Sequence, residues 1–183
     1  MKPIPHQLEE LRLVNCGKLS PVVTCRLLDF LNEKSYIRKL SLVNAGISDD
    51  ICLKKLSLLM HHSRVLTELD ISWNRIRPNV LLDFMHALSE NRNLQYLNLS
   101  WNNLIERAEI TDPARSMSNA AEQLSISEED ISKMLQKSEE KYQKASNKLE
   151  FMDIQYLIML KLTRFIKYNR NLLHLDLSHT GLN

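Results

Sequence analysis

One recurrence restricts what this chain can fold into more than any other feature. Leu94, Leu97, Leu99, Asn102 and Leu104 fit L-x-x-L-x-L-x-x-N-x-L without a mismatch. A second copy lies at Leu66, Leu69, Ile71, Asn74 and Ile76, a third at Ile37, Leu40, Leu42, Ala45 and Ile47, and two more open at Leu8 and Leu172. Copies starting at 8, 37, 66 and 94 are 29, 29 and 28 residues apart. A unit of that length cannot bury its apolar face alone, so successive units must stack into one continuous core.

Within each copy the fourth and sixth positions point one way along a short strand, and the third, fifth and seventh point the other. The free row holds Glu10, Lys39, Glu68, Tyr96 and His174 at the third position, and Arg12, Ser41, Asp70, Asn98 and Asp176 at the fifth. At the ninth position the amides of Asn74 and Asn102 can bond backbone groups where the chain turns out of the strand. Cys16, Ala45 and Thr180 stand there in the other copies. Because Ala offers no such bond, a weaker turn is expected in the second unit.

The pattern and its period resemble those of the ribonuclease-inhibitor-like branch of the leucine-rich repeat proteins. The resemblance covers residues 8–105 and 152–183. It implies an α/β fold, a curved right-handed solenoid with parallel strands on the concave side and helices on the convex side. It also implies, as is usual in that branch, a protein bound in the concavity, and it does not imply an enzyme.

A chain of 183 residues with an apolar fraction of 44% can bury a core of ordinary domain size. The net charge of +2 gives no strong attraction to nucleic acid or to an anionic membrane, so neither is expected as a partner. Three cysteines without C-x-x-C spacing argue against a disulfide framework and a zinc site. MKPIPHQ lacks the apolar run of a signal peptide, and no apolar stretch is long enough to span a bilayer. A cytoplasmic protein without cofactor or metal is the expectation.

In chain order, Ser20-Pro21 opens a helix in which Val23, Leu27, Leu28 and Leu31 recur at helical spacing, ending near Lys34. Ser48, Asp49 and Asp50 open a second, with Ile51, Leu56 and Leu59 facing inward, and the acidic residues suit its dipole. Pro78 opens a third, with Val80, Met85 and Leu88 inward. The fourth unit departs from this plan: Leu94 and Leu172 are 78 residues apart where 28 would suffice. The expected organisation is residues 1–105 for repeats 1–4 including the fourth strand, 106–151 for an insertion, and 152–183 for the fourth helix and fifth strand.

The insertion opens with a polar stretch, 111–121, expected to be an irregular loop. From Ser127 onward Ile131, Leu135, Ser138, Tyr142, Ala145, Leu149 and Met152 alternate in steps of four and three, a coiled-coil heptad stripe. No Gly or Pro lies between 114 and 180, so this helix could run on into the fourth helix, read over Ile154 to Tyr168. Its length from Ser127 would be about 63 Å. Residues 106–150 carry ten acidic and seven basic side chains. A solvated helix folded on the convex side and a projecting arm that pairs with another helix are both consistent with this pattern. The chain stops at Asn183, after Leu175, Leu177 and Leu182, without a closing helix; a fragment of a longer repeat protein, or a last repeat docked on something else, is the expectation.

Trp73 and Trp101 occupy the eighth position of successive units, with His179 in the fifth, so stacking sets them side by side at the rim. Rigidly held surface aromatics are typical binding hot spots, although large rings also serve to cover a core edge. With Glu68, Asp70, Tyr96, Asn98, His174 and Asp176 they form the expected protein-binding patch, and Leu135, Tyr142 and Leu149 are the expected second contact. His61-His62 is read as an exposed pair in the turn after the second helix. Cys25 and Cys52 are read as small core residues, and no pair of groups stands at catalytic spacing.

The expected function is a non-catalytic protein-protein interaction scaffold, a subunit of a larger hetero-complex in a cytoskeletal or ciliary setting. The rival reading is a regulator of an enzyme, such as a GTPase activator or inhibitor, and a third is a sensor fragment of a multidomain protein.

Overall fold

The computed structural model describes residues 8–16, 20–33, 36–48, 50–104, 133, 136 and 151–181. Strands β1 (Glu10–Val14), β2 (Lys39–Val43), β3 (Glu68–Asp70), β4 (Tyr96–Asn98) and β5 (His174–Asp176) alternate with helices α1 (Pro21–Glu33), α2 (Asp50–His62), α3 (Pro78–Glu90) and α4 (Phe151–Tyr168). All strands are parallel and lie in the order β1-β2-β3-β4-β5, an open sheet in which each strand pairs with its successor. Glu10, Lys39, Glu68, Tyr96 and His174 stand in one row across it. The helices form a second layer, α1 on α2, α2 on α3, and α3 on α4. This is the α/β repeat architecture that the pattern required.

Between the layers lies the main apolar core of the described residues. Leu40, Leu69 and Leu97 at the fourth position, and Leu42, Ile71 and Leu99 at the sixth, are 0–1% exposed. From the helix layer they meet Leu28, Leu31, Leu53, Leu56, Leu81, Phe84, Met85, Leu88, Ile158, Leu162 and Phe165. Each such burial is worth about 1.5–3 kcal/mol, which is why strict periodicity at these positions dominates the fold. At the two ends of the sheet the same positions are only partly buried, at Leu11, Leu13 and Leu175. Two helix positions differ from the sequence reading. Val23 and Ile51 are half or more exposed, at 50% and 61%. One residue further along, Thr24 and Cys52 turn inward instead.

The ninth-position asparagines bond within and between units. Asn102 donates its Nδ2 to the carbonyls of Leu99 and Ser100 and, one repeat back, of Ile71, while its Oδ1 accepts the amides of Asn74 and Ile76. Asn74 repeats this, donating to Leu42, Ile71 and Ser72 and accepting from Ala45 and Ile47. The amides of the second unit's turn are therefore satisfied by Asn74. What Ala45 omits is the bond back to the first unit, so the weakness expected within the second repeat falls on the junction between the first and second.

A second polar row lies where each helix returns to the sheet, and the sequence reading did not single it out. Ser63, Asn91 and Asn169 each stand three positions before a repeat start and are buried. Ser63 Oγ accepts the amides of Val65 and Leu66, Asn91 Oδ1 those of Asn93 and Leu94, and Asn169 Oδ1 that of Asn171. Asn91 and Asn169 also donate back, to the carbonyls of Met60 and Leu94.

β4 and β5 pair in register as directly as their neighbours do, although 75 residues separate Asn98 from His174. Of the expected insertion, only Lys133, Gln136 and Phe151 are described; all three are helical, and Lys133 and Gln136 are exposed. The loop, the heptad stripe up to Leu149 and the contacts Leu135, Tyr142 and Leu149 lie outside the described residues, while Met152 at the end of the stripe belongs to α4. Among the described residues no helix is long and apolar enough to cross a membrane, and no group of three His, Cys, Asp or Glu could hold a metal ion.

Candidate functional site

The strand face that the helices leave uncovered ends in a turn whose geometry repeats from unit to unit. At the eighth position Asn15, Asn44, Trp73, Trp101 and His179 all have positive φ, between 47° and 62°. Their amides bond sideways to the next unit: Asn15 to Val43 O, Asn44 to Ser72 O, Trp73 to Ser100 O and Trp101 to Ser178 O. The left-handed turn and these bonds hold five side chains in line along one rim. Asn tolerates this backbone through its short polar side chain, whereas a bulky residue there is an outlier that neighbours must hold in place.

The rings do this by stacking. Trp73 lies on Trp101 with centroids 4.0 Å apart and planes 14° from parallel, and Trp101 lies on His179 at 3.9 Å and 20°. Both separations are shorter than the usual strand spacing of about 4.8 Å, so the rings lean into contact. Trp73 remains 49% exposed and Trp101 41%. At the other end of the row, Asn44 donates its Nδ2 to Asn15 Oδ1 at 3.3 Å.

A second stack lies in the third-position row, where the Tyr96 and His174 rings are 4.9 Å apart and nearly parallel. Burial first, then the Asp70 carboxylate, hold the Tyr96 phenol above its ordinary pKa, so it is a neutral donor at physiological pH. In the same row Glu68 forms an ion pair with Lys39 at 2.6 Å, and the hydrogen bond that the Lys39 ammonium donates to that carboxylate raises the Lys39 pKa.

The fifth-position residues have a structural duty. Asp70, Asn98 and Asp176 each accept, on Oδ1, the amide two residues on, from Ser72, Ser100 and Ser178 at 2.9–3.0 Å. Such a side chain competes with the ladder for backbone donors. β3, β4 and β5 are accordingly three residues long, whereas β1 and β2, with Arg12 and Ser41 at that position, have five. The bonds from Ser178 lower the Asp176 pKa. Asp70 Oδ2 also accepts from Asn98 Nδ2 at 3.2 Å. Asp70 and Asp176 flank Asn98 from the two adjoining strands, with β4 and no inserted unit between them.

All nine expected rim and face residues thus share one side of the sheet, but unequally. Trp73, Trp101, His179, Tyr96 and His174 present stacked rings, while Glu68, Asp70, Asn98 and Asp176 are engaged with neighbours. Sequence reasoning missed Arg75 and Arg77, which with Asn44, Gly46, Ser48, Trp73, Val80 and Asn103 line a groove of about 660 Å³ beside the rim. Their signal was visible: the tenth and twelfth positions read Gly46 and Ser48 in the preceding unit. His61 and His62 close α2 rather than following it, and His61 Nδ1 is 3.8 Å from Glu90 Oε2. Cys25 Sγ and Cys52 Sγ are 2.6 Å apart across the α1–α2 contact, a pairing that the repeat, not any local motif, produces.

Comparison with known proteins agrees with the geometry. A family model described as Leucine Rich repeat matches residues 62–79, 90–106 and 168–183. No curated protein sequence matches the chain. Among solved structures the chain is similar in fold to Leiomodin-1 Actin-Binding Site 2 (ABS2), with a TM-score of 0.50 and 14% identity over 90% of this chain and 84% of that one.

Proposed function

We propose that this leucine-rich repeat chain is a non-catalytic protein-binding scaffold belonging to a cytoskeletal assembly, with its binding centre on the Trp73–Trp101–His179 rim. One observation carries the reading: two tryptophans hold a left-handed backbone that asparagine occupies in the first two units, and both remain about half exposed. Bulky residues kept in such a conformation at a surface point to a task for the exposed ring. Stacked tryptophans offer a partner a large, pre-ordered surface that loses little entropy on binding. Tyr96 and His174 extend the same surface across the strands. The unit length supports assignment to the ribonuclease-inhibitor-like branch, and residues 106–151 with Leu135, Tyr142 and Leu149 are read as a second contact.

The fold likeness to a domain whose name describes actin binding supports a cytoskeletal partner over a soluble enzyme. Co-sedimentation with filamentous actin and, separately, with microtubules tests this. Sedimentation of the wild-type chain with either polymer, lost in Trp73→Ala/Trp101→Ala, is expected. If neither polymer carries the chain down, the cytoskeletal setting is wrong; if the double variant sediments like wild type, the rim is not the site. A matching test on Tyr96→Ala/Trp101→Ala should show a loss of several kcal/mol in partner affinity with folding retained.

A further inference from the structure

Resting on that reading of the rim, we propose that the groove between the second and third repeats takes an acidic peptide segment of the partner, with an aromatic side chain stacked on Trp73. The ring row ends at Trp73. One of its faces lies on Trp101, and the next position in the row is Asn44, whose amide is turned to Asn15. The Asn44 side of the indole therefore has no aromatic neighbour among the described residues.

Trp73 and Asn44 both line the groove of about 660 Å³, a volume within the usual range for a small ligand or a few residues of peptide. Gly46, which has no side chain, and Ser48, whose side chain is small, line it and leave space. The exposed Arg75 and Arg77 line it too, and neither has an acidic partner within ion-pair distance among the described residues. Arg75 sits at φ 55°, and Arg77 is the residue before α3, so a backbone turn aims both from one short segment. Two guanidinium groups in one groove with a half-exposed indole select a planar ring flanked by carboxylates, because each guanidinium can hold a carboxylate by two parallel hydrogen bonds. A basic peptide would meet like charge, and an apolar peptide would leave both cations without a counterpart. Charge complementarity thus names the occupant.

The test uses the full chain and three fluorophore-labelled peptides, EDEFDED, EDEADED and KRKFKRK, read by anisotropy at low and near-physiological salt. EDEFDED is expected to bind about tenfold more tightly than either control, and to weaken with salt as exposed charge pairs do. Arg75→Glu/Arg77→Glu, with circular dichroism confirming an unchanged fold, should weaken EDEFDED by about tenfold or more. Absence of EDEFDED binding, equal binding of EDEADED or KRKFKRK, or an unaltered affinity of the folded arginine variant overturns the proposal. Failure of these peptides while Trp73→Ala/Trp101→Ala still abolishes co-sedimentation rejects the acidic occupant and leaves the rim as the binding centre.

Discussion

Trp73 and Trp101 keep a backbone conformation that costs a non-glycine residue about 1–2 kcal/mol, and each recovers about 0.5–1.5 kcal/mol from ring stacking. These nearly cancel. Trp73→Asn should therefore leave the free energy of unfolding in urea within about 1 kcal/mol of wild type, since Asn15 and Asn44 accept the same turn without a ring. Binding should nevertheless fall sharply. A large loss of stability in that variant would mean that the ring serves the core edge. Asn74 is the opposite case: it is buried, and its side chain makes five hydrogen bonds. Asn74→Ala strands two backbone amides and should cost about 2–4 kcal/mol in equilibrium unfolding. The weight of an asparagine that recurs in register was legible in the sequence. Which neighbour it bonds was not, because Oδ1 and Nδ2 reach partners up to 32 residues away.

At the scale of the element, the shortness of β3, β4 and β5 follows from Asp70, Asn98 and Asp176, each capturing an amide that could otherwise extend the strand. The Asp176 pKa is depressed by the Ser178 hydrogen bonds. Its contribution is therefore fully present above the ordinary value of 3.8 and is lost as pH falls through the lower folded value. The Ser178 amide resonance should shift with that titration, and Asp176→Asn should abolish the dependence while keeping the turn. The junction between the first two repeats lacks the ninth-position amide, so Ala45→Asn should add a bond to the first unit. About 1 kcal/mol of added stability is expected in urea unfolding, and a decrease would show that the buried site has no room for the larger side chain.

For the whole molecule, the long chain excursion between β4 and β5 is the main departure from the repeat plan. Pairing across it remains in register because loop closure costs grow only logarithmically with length. Removing residues 106–150 in favour of a short linker should thus change stability by no more than about 1–2 kcal/mol, with a single cooperative transition in urea. Loss of cooperativity would mean that the segment contributes to the core. The same deletion in a native pull-down tests the proposed second contact: partners that vanish with it belong to the insertion, and partners that persist belong to the repeats.

By itself the sequence determined the unit, its period, the buried positions of the strands and the line-up of the two tryptophans. These follow from local alternation and from a repeat that multiplies it. Only the tertiary structure decided that Val23 and Ile51 face out, that Asn74 serves the turn of the preceding unit, and that Arg75 and Arg77 line one groove with Trp73. Those outcomes depend on how far one unit shifts against the next, a geometry set by packing between residues about 28 positions apart and not written in any one copy of the motif.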